Sequence, residues 1–140
     1  MNKNQQVLVT VYIPTHNRAV LLERAIQSVI VQTYHNLEVI VVDDGSSDDT
    51  ASVLSSYDSE PKVRYIATEN RGQPKAKNRG VAEAKGEFVA FCDADDLWEP
   101  FKLSEQMPAF EDPEVGVVYS NVTHMDGEGK PIQQEMPYPF

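Results

Sequence analysis

Residues 37–50 read LEVIVVDDGSSDDT, and this stretch indicates the fold class of the chain. Its first six residues are apolar and mostly β-branched apart from one glutamate, which is typical of a buried strand. The predicted strand ends at Asp43, Asp44 and Gly45. Residues 46–50 are of the types that cap helices, so a helix is predicted to begin there and to end near Tyr57.

The same succession of strand, polar turn and helix recurs along the chain. Further strands are predicted at residues 7–13, 63–67, 87–92 and 116–122. Asn17 is a candidate cap for a helix with apolar positions up to residue 30, and further helices are predicted over residues 74–84 and 99–110. Gly86 is interpreted as the end of the helix 74–84. The alternation predicts an α/β protein with a mainly parallel, open sheet and helices on both faces.

Length and charge limit the classes of protein to which the chain can belong. The 140 residues suit one compact domain over residues 1–140, with residues 123–140 as an irregular tail or the start of a further part. Twelve Lys and Arg against twenty-two Asp and Glu give a net charge of −10. So acidic a chain is a poor candidate for binding nucleic acid or for a polybasic membrane contact. A bound anion would therefore need local donors or a metal ion.

The cysteine content and the start of the sequence indicate the cellular environment. Cys92 is the single cysteine of the sequence, so no internal disulfide can form, and we interpret it as an inert strand residue. The first residues are polar and do not resemble a secretory signal. We therefore expect a cytoplasmic protein, with a position at the cytoplasmic face of the membrane left open.

Three polar clusters follow predicted strands, at residues 14–18, 43–46 and 93–96. In an open α/β sheet, ligands bind outside the carboxyl ends of the strands. Asp43 and Asp44 could equally be turn formers before Gly45. Asp48 and Asp49 are interpreted as helix caps in preference to ligands.

The sharpest signal is the sequence Asp93-Ala94-Asp95. Two carboxylates separated by one residue in a turn can converge on a hard cation, and oxygen ligands suit Mg²⁺ or Mn²⁺. A calcium-binding EF-hand loop is excluded because Leu97 and Trp98 stand where that loop needs an oxygen ligand and a glycine. Zinc is disfavoured because no His/Cys spacing suits it.

Other ligand-binding classes lack their signatures. The sequence contains neither a dinucleotide-binding Gly-x-Gly-x-x-Gly nor a P-loop. A receiver domain would need an aspartate where Ala67 and Thr68 stand, and a carbohydrate-binding module would more often be all-β. A nucleotidyltransferase usually has a Gly-rich basic loop where Pro14 to Arg18 lie. A nucleotidyltransferase-like or non-catalytic nucleotide-binding domain remains the alternative.

Four segments together resemble family 2 glycosyltransferases, which have the GT-A fold. These segments are residues 11–18 (VYIPTHNR), 41–50 (VVDDGSSDDT), 70–80 (NRGQPKAKNRG) and 91–96 (FCDADD), with Pro100 after the last. Their order matches the family, and the resemblance covers residues 7–122. It implies an inverting transferase that takes a sugar from a nucleoside diphosphate sugar, most often a uridine one.

The resemblance also implies roles for individual residues. Pro14 and His16 would line the base and ribose pocket, with His16 where the family often has an aromatic residue. Asp44 would bind the base edge, and Lys77 would lie near the base or the phosphates. Asp93 and Ala94 would contact the nucleotide. Asp93 and Asp95 would hold the Mn²⁺ or Mg²⁺ ion that bridges the diphosphate.

The resemblance also implies an acceptor-binding part and a carboxylate base downstream of the metal motif. No acidic residue after Val122 carries a recognisable motif for that base, which is therefore expected beyond Phe140. We expect the chain to be truncated, and to bind donor yet transfer little sugar by itself. The acceptor, a saccharide or lipid-linked saccharide, could give a peripheral membrane association.

Overall fold

The computed structural model describes residues 7–69 and 73–132, with the side chains of residues 73–76 excepted. In chain order the elements are β1 (Val9–Thr15), α1 (Ala19–Ile30), β2 (Leu37–Asp43), α2 (Thr50–Ser55), β3 (Val63–Ala67), α3 (Gln73–Ala82), β4 (Phe88–Phe91), α4 (Lys102–Gln106) and a 3₁₀ helix (Met107–Glu111). Within these ranges, no helix combines the length and the hydrophobicity that crossing a membrane requires.

The four strands of this part of the chain form one sheet in the order β3-β2-β1-β4, and all its pairings are parallel. The central strand β1 pairs with β2 from Val9 opposite Leu37 to Thr15 opposite Asp43. On its other side β1 pairs with β4, from Val9 opposite Phe88. The predicted α/β class with a parallel, open sheet is confirmed.

Helices cover both faces of this sheet. Val11 and Ile13 point to one face, where they form the main core with buried residues of α1, α2 and α4. Tyr12, Ile40 and Val42 form a second cluster on the opposite face, where α3 contacts β1 and β2. Because successive strand residues point to opposite faces, the apolar runs of β1 and β2 supply both cores.

The helix starts differ from the predictions. Asn17 is not the cap of α1, because Arg18 stands at the N-cap position and the Asp48 carboxylate accepts the Ala19 N–H (3.1 Å). That carboxylate also accepts the Thr50 N–H at 3.0 Å, so Asp48 joins the starts of α1 and α2. Asp49 stands at the N-cap position of α2 but makes no capping hydrogen bond. Asp48 therefore confirms its predicted capping role, whereas the capping roles of Asn17 and Asp49 were wrong.

The predicted fifth strand at residues 116–122 is wrong. The segment is irregular, and Val117 is 80% exposed. Residues 123–132 are less irregular than expected, because Met125 and Pro131 form an antiparallel bridge around a turn. Residues 133–140, the rest of the predicted tail, lie outside the described residues, as do residues 70–72 of the third motif.

A partly buried polar network ties the strands together at the end opposite the polar clusters. Glu38 on β2 accepts hydrogen bonds from the Thr10 hydroxyl (2.7 Å) and the Lys85 N–H (2.8 Å), and pairs with Arg64 at 3.3 Å. Burial raises the pKa of Glu38, but these donors outweigh it and hold that pKa below its usual value. The ionised form of Glu38 therefore stabilises the folded chain.

Replacing Glu38 with glutamine is expected to lower the free energy of unfolding at neutral pH by about 2 kcal/mol, since hydrogen bonds to charged groups carry that order of energy. A depressed pKa gives stability that is present above the unfolded-state value and is lost as the pH falls through the folded-state value. The deficit of the Gln variant should therefore shrink below about pH 4.5. Urea unfolding across pH tests this, with the exposed Glu114→Gln as control. A deficit that stays constant down to pH 3 would contradict the role of the charge.

Candidate functional site

A pocket of about 370 Å³ opens where β1, β2 and β4 end. The chain leaves β1 for β2 on one side, whereas β4 lies on the other side of β1. Such a point, where the strand order reverses, is where open α/β sheets bind ligands. The volume falls in the range that small-molecule sites occupy.

Twelve residues of the described part of the chain line the pocket, and they come from the ends of the three strands and from α3. They are Tyr12, Pro14, Thr15, His16, Arg18, Val42, Asp44, Lys77, Phe91, Asp93, Ala94 and Asp95. All seven residues predicted as nucleotide or metal contacts are among them. The structure thus brings together residues up to 81 positions apart, as the convergence of parallel strand ends predicted.

The polar clusters at residues 14–18 and 43–46 hold each other in place through His16 and Asp44. The Nδ1 atom of His16 lies 2.9 Å from the Asp44 carbonyl oxygen, so Nδ1 carries the proton and donates it. The Asp44 N–H donates to the Thr15 carbonyl at 3.0 Å, and the Thr68 hydroxyl donates to an Asp44 carboxylate oxygen at 2.9 Å. The carboxylate of Asp44 is therefore fixed at the pocket wall.

Asn17 and Asp43 support these clusters from outside the pocket. Asn17 adopts a left-handed backbone conformation (φ 50°), which asparagine tolerates better than most residues. Its N–H donates to the Ser46 hydroxyl (2.8 Å), and its side-chain oxygen accepts the Ser47 N–H (2.7 Å). The Asp43 carboxylate accepts the N–H of Ser46 at 3.1 Å. Asp43 is thus a turn former, one of its two predicted roles, whereas Asp44 lines the pocket.

The third cluster contributes exposed carboxylates. Asp93 and Asp95 are both exposed, and the Arg18 guanidinium donates to an oxygen of Asp95. About half of each of the two paired side chains is in solvent. Both carboxylates are accessible to a cation, and a cation on Asp95 would compete with the Arg18 guanidinium.

Two aromatic residues of the pocket were missed by the sequence analysis. Tyr12 is fully buried, and its ring contacts the edge of Phe91 at 6.0 Å between centroids. Phe91 is 52% exposed, and the Lys77 ammonium lies 4.8 Å from its centroid. Their apolar character made them indistinguishable from core residues. The available signal was their position near the ends of strands that carry polar clusters.

Cys92 is buried and belongs to the main core. Burial, followed by the negative charges of Asp96 and Asp93, raises the pKa of its thiol to about 12. A thiol that stays protonated is a poor nucleophile and metal ligand. The structure agrees with the interpretation of Cys92 as inert, although β4 ends one residue earlier, at Phe91.

The donor set of the site suits a cation that brings other ligands with it. Among the described residues, no three His, Cys, Asp or Glu side chains gather closely enough to hold a metal by themselves. Mg²⁺ commonly uses one or two carboxylates, with waters and substrate phosphates completing its shell. The hard oxygen atoms of Asp93 and Asp95 fit that requirement.

Comparison with known proteins identifies the family. The fold is that of the GT-A glycosyltransferases, and residues 10–139 match the family described as Glycosyl transferase family 2. The chain belongs to this family.

Individual relatives agree with the assignment. The chain is 40% identical over 128 residues to an uncharacterized glycosyltransferase of Nostoc, a match that covers 90% of this chain and 40% of the relative. Among solved structures it resembles a mannosyltransferase from Pyrobaculum calidifontis in complex with GDP-Man and Mn²⁺, with a TM-score of 0.74 and 34% identity, covering 81% of this chain and 35% of that one. It also resembles residues 1–349 of TarS from Staphylococcus aureus in complex with UDP, with a TM-score of 0.67 and 32% identity. This match covers 75% of this chain and 32% of that one. The chain thus spans less than half the length of these proteins.

Proposed function

We propose that the chain is the donor-binding part of a glycosyltransferase that moves a sugar, with inversion, from a nucleoside diphosphate sugar to an acceptor hydroxyl. The observation that carries the proposal is the convergence of three strand ends on one pocket. Asp44, Asp93 and Asp95 reach it from clusters that are far apart in sequence. Membership of the family and the nucleotides bound to two similar structures support the same function.

In this proposal, one side of the pocket binds the nucleoside. Pro14 and His16 provide a surface for the base and ribose, and the carboxylate of Asp44 accepts an N–H from the base edge. Thr68 and the loop contacts of His16 hold Asp44 before any ligand arrives, so little ordering is needed on binding. The sequence resemblance favours uridine as the base. Similar structures hold UDP in one case and GDP-Man in the other, so an experiment has to compare the two bases.

The other side of the pocket binds the diphosphate. Asp93 and Asp95 would hold Mn²⁺ or Mg²⁺, and Ala94 between them would contact the nucleotide. A cation held there would stabilise the negative charge that develops on the leaving diphosphate. The chain needs such a cation because its net charge of −10 and the carboxylates of the pocket repel a bare diphosphate. Lys77, which lies over Phe91 at the pocket wall, adds a positive charge that can face the base or the phosphates.

Transfer also requires a base that takes the proton of the acceptor hydroxyl. That carboxylate is predicted downstream of the metal motif, and its position stays a prediction. The acceptor is proposed to be a saccharide or a lipid-linked saccharide, through which the protein would associate with the membrane. Both proposals rest on the resemblance of the sequence to the family. The described residues are assigned to donor binding alone.

Nucleotide binding by the chain is expected to require a divalent metal. Isothermal titration of the 140-residue chain with UDP and with GDP should give saturable binding with Mn²⁺ present. Binding should be at least about tenfold weaker after chelation, because the metal neutralises charge between two anionic partners. Uridine and pyrophosphate alone serve as controls for the two parts of the ligand. Equal affinity with and without metal would contradict the role of the carboxylates, and binding of neither nucleotide would overturn the proposed function.

A further inference from the structure

Two hydroxyl groups in the pocket wall lack a hydrogen-bond partner among the described residues. They are the hydroxyls of Tyr12 and Thr15, both on β1 and both buried. A third buried hydroxyl on the same strand behaves differently, since Thr10 donates to Glu38 and accepts the Gly86 N–H at 2.8 Å. Thr10 is not among the residues that line the pocket. The unpaired hydroxyls of β1 are therefore those at the pocket.

One side of the Tyr12 ring packs tightly against α3. Gly80 of α3 lies so close that a Cβ atom built there would be 2.1 Å from the Cε2 atom of Tyr12, and Phe91 makes a T-shaped contact with the ring. The ring consequently has no room to move toward α3. Buried polar groups are almost always paired, and one that is unpaired disfavours the folded state. A hydroxyl in this position at the pocket wall can gain a partner from a ligand that enters the pocket.

The charges near Tyr12 indicate which part of a nucleotide that partner belongs to. Burial, and then the carboxylates of Asp44 and Asp93, raise the pKa of Tyr12 to about 12, so the hydroxyl stays neutral and can both donate and accept. Asp44 has the larger effect of the two carboxylates, and it is the residue that the proposed function assigns to the base edge. A carbonyl or N–H of a base, or a ribose hydroxyl, has the neutral polar character that the position accepts.

We propose that the Tyr12 hydroxyl forms a hydrogen bond to the nucleoside of the bound donor and so contributes to recognition of the nucleotide. The inference rests on the proposed function and adds a contact that none of the sequence motifs assigns. Because the hydroxyl has no exposed surface in the ligand-free chain, a neighbour has to move when the ligand binds. Phe91, half exposed at the pocket, can do so by changing its rotamer, and such side-chain changes are common on binding.

The test is the variant Tyr12→Phe, which removes one oxygen atom and keeps the ring against Gly80 and Phe91. With Mn²⁺ present, its affinity for UDP or GDP, whichever the wild-type chain binds more tightly, should fall about fivefold, the effect of one hydrogen bond. Its affinity for pyrophosphate should not change. Its melting temperature without ligand should equal or exceed that of the wild type, since the lost hydroxyl had no partner.

Tyr34→Phe is the matched control, because Tyr34 is also buried but its hydroxyl donates to the Val7 carbonyl at 2.6 Å, away from the pocket. This variant should melt lower than the wild type and bind nucleotide equally well. If Tyr12→Phe shows that same pattern, or weakens pyrophosphate binding as much as nucleotide binding, the inference is overturned while the proposed function stands. If the wild-type chain binds neither nucleotide, the proposed function fails and the inference fails with it.

Discussion

Asp95→Asn is expected to abolish the metal-dependent binding of nucleotide. Its affinity for nucleotide with Mn²⁺ present should fall to the level seen after chelation. Asparagine keeps the size of the side chain and one oxygen but loses the negative charge that a divalent cation requires. Changes to groups that only orient metal ligands already weaken metal affinity 10- to 100-fold, so loss of a ligand charge should have at least about that effect. The measurement is the affinity for UDP with Mn²⁺, compared with the affinity after chelation.

The folded chain should tolerate the Asp95 change. Its ion pair with Arg18 is lost, but both side chains are about half exposed, and pairs of that kind contribute little to stability. Asp49→Asn is the matched control, because Asp49 is an exposed aspartate whose side chain makes no capping hydrogen bond. The control should keep the rise in melting temperature that Mn²⁺ and UDP together produce. If Asp95→Asn keeps that rise as well, Asp95 is not a metal ligand.

The sequence predicted the strands of the sheet because their burial leaves a simple pattern. In β1 and β2 almost every residue faces one of two apolar layers, so a run of β-branched residues specifies a strand without knowledge of its partner. Residues 116–122 carry a similar run and form no strand in the described part of the chain. A strand depends on a neighbour that accepts its backbone hydrogen bonds and covers its side chains, and local sequence does not report that neighbour.

Local sequence also failed where contacts join distant loops. Asn17 and Asp49 both stand next to a helix start, which is the place where capping statistics apply. In the structure Asp48 provides the acceptor for the Ala19 N–H, although the two residues are 29 positions apart. Asn17 is engaged with Ser46 and Ser47 instead. Which polar side chain caps a helix is decided here by the approach of two loops.

The candidate site was predictable to the extent that topology determines it. Polar residues after parallel strands have to meet at one edge of the sheet, so the convergence of Pro14, Asp44 and Asp93 followed from the strand prediction. Tyr12 and Phe91 were missed because an aromatic residue in an apolar strand indicates burial in the core. The sequence does not reveal that its hydroxyl or ring faces a pocket. The lack of a partner for the Tyr12 hydroxyl is a property of the packed structure.

Gly86 shows how strongly the approach between two elements can constrain one position. Its place in the sequence predicts the end of a helix, but α3 ends at Ala82, four residues earlier. Gly86 instead lies against the backbone of the central strand, where a Cβ atom would be 2.5 Å from the Thr10 nitrogen and 2.8 Å from the Leu8 carbonyl oxygen. The first atom belongs to β1 and the second to the residue just before it. Strands pair with β1 on both sides, so its backbone cannot move away.

Gly86→Ala is therefore expected to lower the free energy of unfolding by about 3 kcal/mol, at the upper end of the effects of overpacking. For a chain of this size the melting temperature should fall by roughly 10 °C. Movement of the residue would also weaken the hydrogen bond from its N–H to the Thr10 hydroxyl, and with it the Glu38 network. Differential scanning calorimetry and urea unfolding provide the two measurements.

Gly116→Ala provides the comparison that isolates the packing effect. Both substitutions remove the same conformational freedom from the unfolded chain, which by itself favours the folded state slightly. At Gly116 no atom lies within 4 Å of the added Cβ, and its backbone is not in the left-handed region. Its stability should therefore stay within about 0.5 kcal/mol of the wild type or rise a little. If the two variants have the same melting temperature, the contact between Gly86 and β1 does not constrain the fold. The tight packing inferred between β1 and the segment before β4 would then be wrong.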